Sequence, residues 1–282
     1  MKELMVLLFF LLICMLICMI LYFGAIMPRV FHKPEMKQFG EWLYAHRGLH
    51  DNESDAPENS INAFQKAVDA GFGIELDIQL TKDDIPVVFH DYTLERICGT
   101  EGNVRDYTYE ELLQFQLCNS GEHIPKFEEV LELVDGKVPL IVELKVEWTD
   151  TSLCPIVGEL LNAYGGLYCI ESFNPLAVWW FRKNCPEVVR GQLAEAFLKG
   201  EEYKGGLYFA LQHLLLNFIS RPDFVAYNHK HYHMLSRRIC HRLFGSTAVA
   251  WTIKSRQELV AAKKHFEIFI FDSFLPENTK EK

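Results

Sequence analysis

Eight apolar runs of strand length recur along the chain, and most of the gaps between them carry helical spacing. The runs fall at 42–46, 73–80, 138–145, 167–173, 188–193, 223–227, 247–253 and 268–272. Amphipathic stretches fall at 60–70, 127–134, 152–164, 175–184, 207–219, 231–243 and 256–265. Pro and Gly mark the joins, as in "APENS", "DGKVP" and "AYGGL". Strands that alternate with helices pair in parallel, and eight such units in the 242 residues after residue 40 fill a (β/α)8 TIM barrel. A doubly wound open sheet also alternates, but with fewer strands and a glycine-rich first turn, and no G-x-G-x-x-G is present. Residues 92–125 are too long for a plain loop and read as a small excursion from the barrel top after the second strand.

A barrel buries both faces of every strand, one against the helices and one in the lumen. In "GIELDIQL", Ile74, Leu76, Ile78 and Leu80 share one face and therefore meet the helices; Glu75 and Asp77 point inward. In "VPLIVELKVEW" the same parity sends Glu143 and Lys145 inward. The first strand ends in "AHRG", with His46 and Arg47, and "VVFHD" brings His90. Three clustered carboxylates repel one another unless a cation sits between them. All-oxygen donors suit a hard divalent ion, Mg²⁺ or Ca²⁺. Arg47 and Lys145 supply charge for a phosphate, and His46 and His90 can exchange protons near neutral pH. Together these groups describe metal-assisted cleavage of a phosphate ester.

At these residues the chain resembles a known family. "AHRG", "PENS", "ELDIQLTKDDIPVVFHD", "VELK", "ESFNP" and "AWT" resemble, in order, the motifs of the glycerophosphodiester phosphodiesterases, from about residue 41 to 272. The resemblance implies a TIM barrel and hydrolysis of glycerophosphodiesters to an alcohol and glycerol 3-phosphate. It also implies Glu75, Asp77 and Glu143 as metal ligands, His46 and His90 as the acid/base pair, and Arg47 and Lys145 as phosphate contacts. In related enzymes the glycerol hydroxyl of the substrate attacks phosphorus, and water opens the cyclic phosphate. Phe173 and Trp251, near strand ends, are expected either to wall the glycerol or alcohol moiety or to pack as an ordinary aromatic layer. Departures are Asp84, where the family often has Gly, and a loosely matching "FIFDSFLPEN", which leaves Asp272 without an assigned role. Asn59 reads as the N-cap of the first barrel helix, and Glu58 as a phosphate-side contact or a first-turn acid. His229 and His233 form an i, i+4 pair if helical, with no third ligand nearby.

Residues 4–27 are 24 positions without a charge. A helix rising about 1.5 Å per residue over that length crosses a hydrocarbon core of ~30 Å. A signal peptide has a shorter apolar region, about 7–15 residues, and a small-x-small site that "YFGAIMPRV" lacks. The expected division is a transmembrane anchor and linker over 1–40 and a barrel domain over 41–282. Lys2 precedes the span and Arg29, Lys33 and Lys37 follow it, which points to a cytoplasmic barrel on a single-pass membrane protein. The cysteines outside the span are scattered, with no C-x-x-C pair. A net charge of −10 argues against nucleic acid as a partner. The very apolar 207–219 either packs on the barrel wall or touches the bilayer. The alternatives to glycerophosphodiester cleavage are lysophospholipase D action on lysolipids and a catalytically silent lipid-binding scaffold. The scaffold would have lost a histidine or a carboxylate, and all are present.

Overall fold

The computed structural model describes residues 1–200 and 203–277. Among the described residues nine strands form: β1 Leu43–His46, β2 Gly73–Leu80, β3 Pro86–Val88, β4 Leu140–Leu144, β5 Tyr168–Ser172, β6 Arg190–Ala194, β7 Phe224–Asn228, β8 Thr247–Ile253 and β9 Ile268–Phe271. Eight of them pair in parallel in the order β1-β2-β4-β5-β6-β7-β8-β9, and β9 pairs back onto β1. The sheet is therefore the closed (β/α)8 barrel that the alternation of elements predicts. Parity holds as expected on β2, where Ile74, Leu76, Ile78 and Leu80 join the core under the helices.

Below the acids the lumen is filled by Tyr44, Ile141, Cys169, Leu193, Phe224 and Val249, among others. Phe39, on the short helix Lys37–Gly40, closes this layer from the amino end, and its carbonyl accepts a hydrogen bond from the Tyr44 hydroxyl at 3.1 Å. Gly73 makes that packing possible, because a Cβ there would lie 2.7 Å from the Tyr44 ring.

The excursion differs from the sequence expectation at its start. It begins with β3, antiparallel to β2, and so at residue 86 rather than 92. Three residues are too few to show a strand period. It carries a core of its own, including Val87, Phe89, Leu94, Ile97, Val104 and Leu112.

Helix Lys2–Ile26 is long and apolar enough to cross a membrane. Leu4 to Leu21 are largely exposed, whereas Ile26 is fully buried. The Ile26 carbonyl accepts from Asn217 Nδ2 at 3.0 Å, Arg221 Nη1 reaches the Met27 carbonyl at 2.9 Å, and Arg29 N–H donates to Pro222 at 2.9 Å. These partners lie just ahead of β7, so the helix joins the barrel at the amino-end rim of the strands. The 207–219 segment does not form one helix. It divides into Gly206–Gln212 and Asn217–Ser220, with Leu207, Phe209 and Phe218 about half exposed and Gln212, Leu214 and Asn217 buried.

Candidate active site

The strand register assembles the acids. Asp77 on β2 lies opposite Glu143 on β4, and His46 on β1 opposite Glu75. Glu75, Asp77 and Glu143 are buried, and each offers an oxygen within 4.8 Å of the others. Among the described residues no other histidine, cysteine or carboxylate group meets that geometry. Lys145 Nζ stands 2.8 Å from Asp77 Oδ1 and 2.7 Å from Glu143 Oε1. The first contact is within ion-pair range, yet Oδ1 is left without a directed hydrogen bond.

One ammonium does not offset three buried carboxylates. Burial, together with the charges of Asp77, Glu143 and Glu171, holds Glu75 well above the ordinary carboxylate range. Burial also raises Glu143, against the opposing pull of Lys145. Asp77 is the exception: burial raises it, but Lys145, His90 and Arg47 together hold it well below the usual range. An all-oxygen donor set with surplus negative charge fits a hard divalent cation.

Both histidines are oriented by aspartates. His46 Nδ1 lies 3.3 Å from Asp272 Oδ2, and its Nε2 lies 4.0 Å from Glu75 Oε2. A carboxylate only accepts, so the Nδ1–H donates to Asp272 and the Nε2 lone pair faces the acids. Burial lowers the His46 pKa to about 4 against the opposing hydrogen bond to Asp272, which keeps the ring neutral at pH 7. His90 Nδ1 makes a 2.5 Å contact with Asp91 Oδ1, so the Nδ1–H donates to that carboxylate in the same way. Asp272, left without a role by the sequence, therefore sits directly behind His46.

Arg47 follows β1 with a left-handed backbone, φ 56°, a conformation that a long side chain rarely adopts. That turn aims its N–H at Glu75 Oε2, 3.2 Å away, and its guanidinium at Glu58 Oε1, 2.6 Å away. Asn59 is not the helix cap. Ser60 accepts from Ala63 N–H, and Asn59, at φ 57°, donates from Nδ2 to Asp77 Oδ2 at 2.9 Å. Burial raises Glu58, but hydrogen bonds from Arg96 and the charge of Arg47 outweigh it and bring its pKa to about 2.

Glu171 on β5 faces Glu143 in register and is 1% exposed, and its Oε2 has no hydrogen-bond partner among the described residues. Parity within "YCIES" carries the signal for it, since Cys169 and Glu171 share the inward face. Phe173 and Trp251 pack edge to face at 5.6 Å, and Phe173 meets Phe197 at 5.8 Å. These rings line a cleft of about 610 Å³ together with His90, Glu143 and Lys145. Phe173 and Trp251 thus pack together as an aromatic pair and also line the cleft. The indole Nε1 of Trp251 is buried with no hydrogen-bond partner among the described residues. The His229/His233 pair fails as a helical ligand pair. His229 lies in the 3-10 turn His229–His231, with its Nε2 3.6 Å from Glu258.

Fold and site together define a closed parallel barrel with a carboxylate-lined mouth. Residues 46–239 match the model of the glycerophosphoryl diester phosphodiesterase family, and the chain belongs to that family. A glycerophosphodiester phosphodiesterase of Caldanaerobacter subterraneus is 44% identical over 170 residues, 55% of this chain and 68% of that protein. Glycerophosphodiester phosphodiesterase 1 of Mus musculus is 30% identical over 158 residues, 51% of this chain and 46% of that protein. The chain thus spans about two thirds of the first relative's length and less than half of the second's. An Oleispira antarctica phosphodiesterase, solved in complex with the product sn-glycerol-3-phosphate, superposes with a TM-score of 0.67 at 23% identity, over 82% of this chain and 93% of that one. A Thermotoga maritima glycerophosphodiester phosphodiesterase does so with a TM-score of 0.63 at 24% identity, over 82% and 94%.

Proposed function

We propose that the chain is a metal-dependent phosphodiesterase that cleaves glycerophosphodiesters to an alcohol and glycerol 3-phosphate. One observation carries this reading. Three buried carboxylates converge beside two histidines whose Nδ1 atoms are each held by an aspartate. A divalent cation, Mg²⁺ or Ca²⁺, held by Glu75, Asp77 and Glu143 would supply positive charge and Lewis acidity at the phosphate. Arg47 and Lys145 bind the phosphate oxygens. Neutral His46 takes the proton from the attacking glycerol hydroxyl at Nε2. A new P–O bond forms as the bond to the alcohol breaks, and His90 returns a proton to the leaving oxygen. Water then opens the cyclic phosphate with the two roles exchanged. Quenched reactions that never yield a cyclic phosphate would remove the first of these steps.

Phe173 and Trp251 form the wall for the glycerol or alcohol moiety. A lysophospholipase D acting on lysolipids would use the same polar groups, and the half-exposed Leu207 and Phe209 favour it. The junction with the apolar helix favours the smaller, water-soluble substrate. That helix joins at the amino-end rim, whereas the acids sit towards the carboxyl ends of the strands. We read residues 1–40 as an uncleaved single-pass anchor with its linker and 41–282 as a cytoplasmic catalytic domain. Cleavage after residue 27 would strip Asn217 and Cys240 of the Ile26 carbonyl.

Full-length protein in detergent, assayed with glycerophosphocholine, glycerophosphoethanolamine, glycerophosphoglycerol and lysophosphatidylcholine, tests the reading. Glycerol 3-phosphate is expected from the first three with Mg²⁺ or Ca²⁺ and from none with EDTA. Turnover of lysophosphatidylcholine alone would establish the second reading in place of the first.

A further inference from the structure

Arg96 belongs to no barrel strand. It stands on the one-turn helix Glu95–Cys98 of the excursion, yet its guanidinium makes four hydrogen bonds to two acids of the barrel mouth. Nη1 and Nη2 grip both oxygens of Glu58 at 2.8 Å each. Nε and Nη2 grip Asp91 at 2.6 and 2.9 Å. Each acid passes the contact inward. Glu58 Oε1 holds Arg47 at 2.6 Å, and Asp91 Oδ1 holds His90 at 2.5 Å. One planar fork therefore backs both the phosphate-side arginine and one of the two histidines.

We propose that Arg96 is a positioning residue through which the docked excursion sets the orientation of Arg47 and His90 together. The assignment of roles to Arg47 and His90 rests on the phosphodiesterase reading above. Glu58 and Asp91 are both acids, so without the cation between them they repel and neither keeps its place. Asn52 still reaches Glu58 at 3.0 Å, but nothing equivalent to Arg96 in charge remains at Asp91 besides His90. A lysine cannot stand in, because a point charge does not make two bidentate contacts in one plane. The Arg96 side chain is 45% exposed, so a guanidinium ion from solution can reach its place.

The test uses the full chain in detergent. Arg96→Ala is expected to lower kcat/KM for glycerophosphocholine about 10²-fold, divided between a higher KM, through Arg47, and a lower kcat, through His90. Millimolar guanidinium should restore part of that loss. Arg96→Lys should recover less than about a tenth of it and gain nothing from guanidinium. A second readout needs no substrate. The ¹⁵N resonances of the His90 ring, identified by their loss in His90→Gln, should report the Nδ1–H form in the parent and a tautomer mixture in Arg96→Ala. Parent-like kinetics and parent-like ring resonances in Arg96→Ala would overturn the proposal. So would full recovery by lysine. If the parent cleaves no glycerophosphodiester, the phosphodiesterase reading fails, while the ring resonances still decide whether Arg96 holds His90 in place.

Discussion

The two halves of the barrel mouth are built by different means. On one side β1, β2, β4 and β5 present His46, Glu75, Asp77, Glu143 and Glu171, each fixed by strand parity and register. On the other the cleft is walled by Phe173, Phe197, Tyr203, Tyr208 and Trp251, most of them from turns and short helices beyond the strands. Side chains on paired strands keep their places more closely than side chains on turns, which the proposed proton transfer and phosphate contact require. The aromatic wall has only to exclude water and accept a shape. The polar half is therefore expected to control rate, and the aromatic half affinity.

Substitutions can break that division, and the polar half should give the largest effect. Glu75→Ala or His46→Ala should each cost at least about 10²-fold in kcat. A loss confined to KM would contradict the division. Asp272→Asn should follow with about 10–10²-fold in kcat, because an amide no longer imposes the Nδ1–H form on His46. In the aromatic half, Phe173→Ala or Trp251→Phe should raise KM several-fold and leave kcat within about twofold, measured across the head-group panel.

The smallest effect concerns stability. Glu58 titrates at about 2 in the folded chain against an ordinary 4.5. Its contribution is complete above about pH 4.5 and is lost as pH falls towards 2, an upper figure of about 3 kcal/mol at roughly 1.4 kcal/mol per pH unit. Glu58→Gln should therefore lower the melting temperature by a few degrees at neutral pH and flatten its fall below pH 4.5. A parallel, undiminished acid fall in Glu58→Gln would remove Glu58 from the account.

The same contrast decides what the sequence could reveal. His46, Glu75, Asp77, Glu143 and Lys145 lie in or beside long strands, where alternation assigns a face without knowledge of the partner strand. Glu171 was open to the same parity argument. Asp272 continues the inward parity of Ile268 and Ile270, but it lies 226 residues from His46, and only closure of β9 onto β1 brings the two together. Asn59 carries the pattern of a helix cap, but Ser60 next to it takes that duty, and the left-handed φ that turns Asn59 inward has no sequence period. Arg96 is hidden for a similar reason: it sits on a single helical turn and acts through acids 38 and 5 residues away. The 207–219 segment is apolar enough for one helix, yet Leu214, at φ 56°, lies in the break between its two halves.

If Glu75, Asp77 and Glu143 hold a divalent cation on which hydrolysis depends, binding and turnover must be lost and regained together. Calorimetric titration of Mg²⁺ or Ca²⁺ into the chelator-treated full chain, with glycerophosphocholine hydrolysis followed at every addition, tests it most directly. A single ion per chain is expected, with activity that returns in step with its binding and loss of both in Glu75→Gln. Absence of binding together with turnover that survives chelation would contradict it.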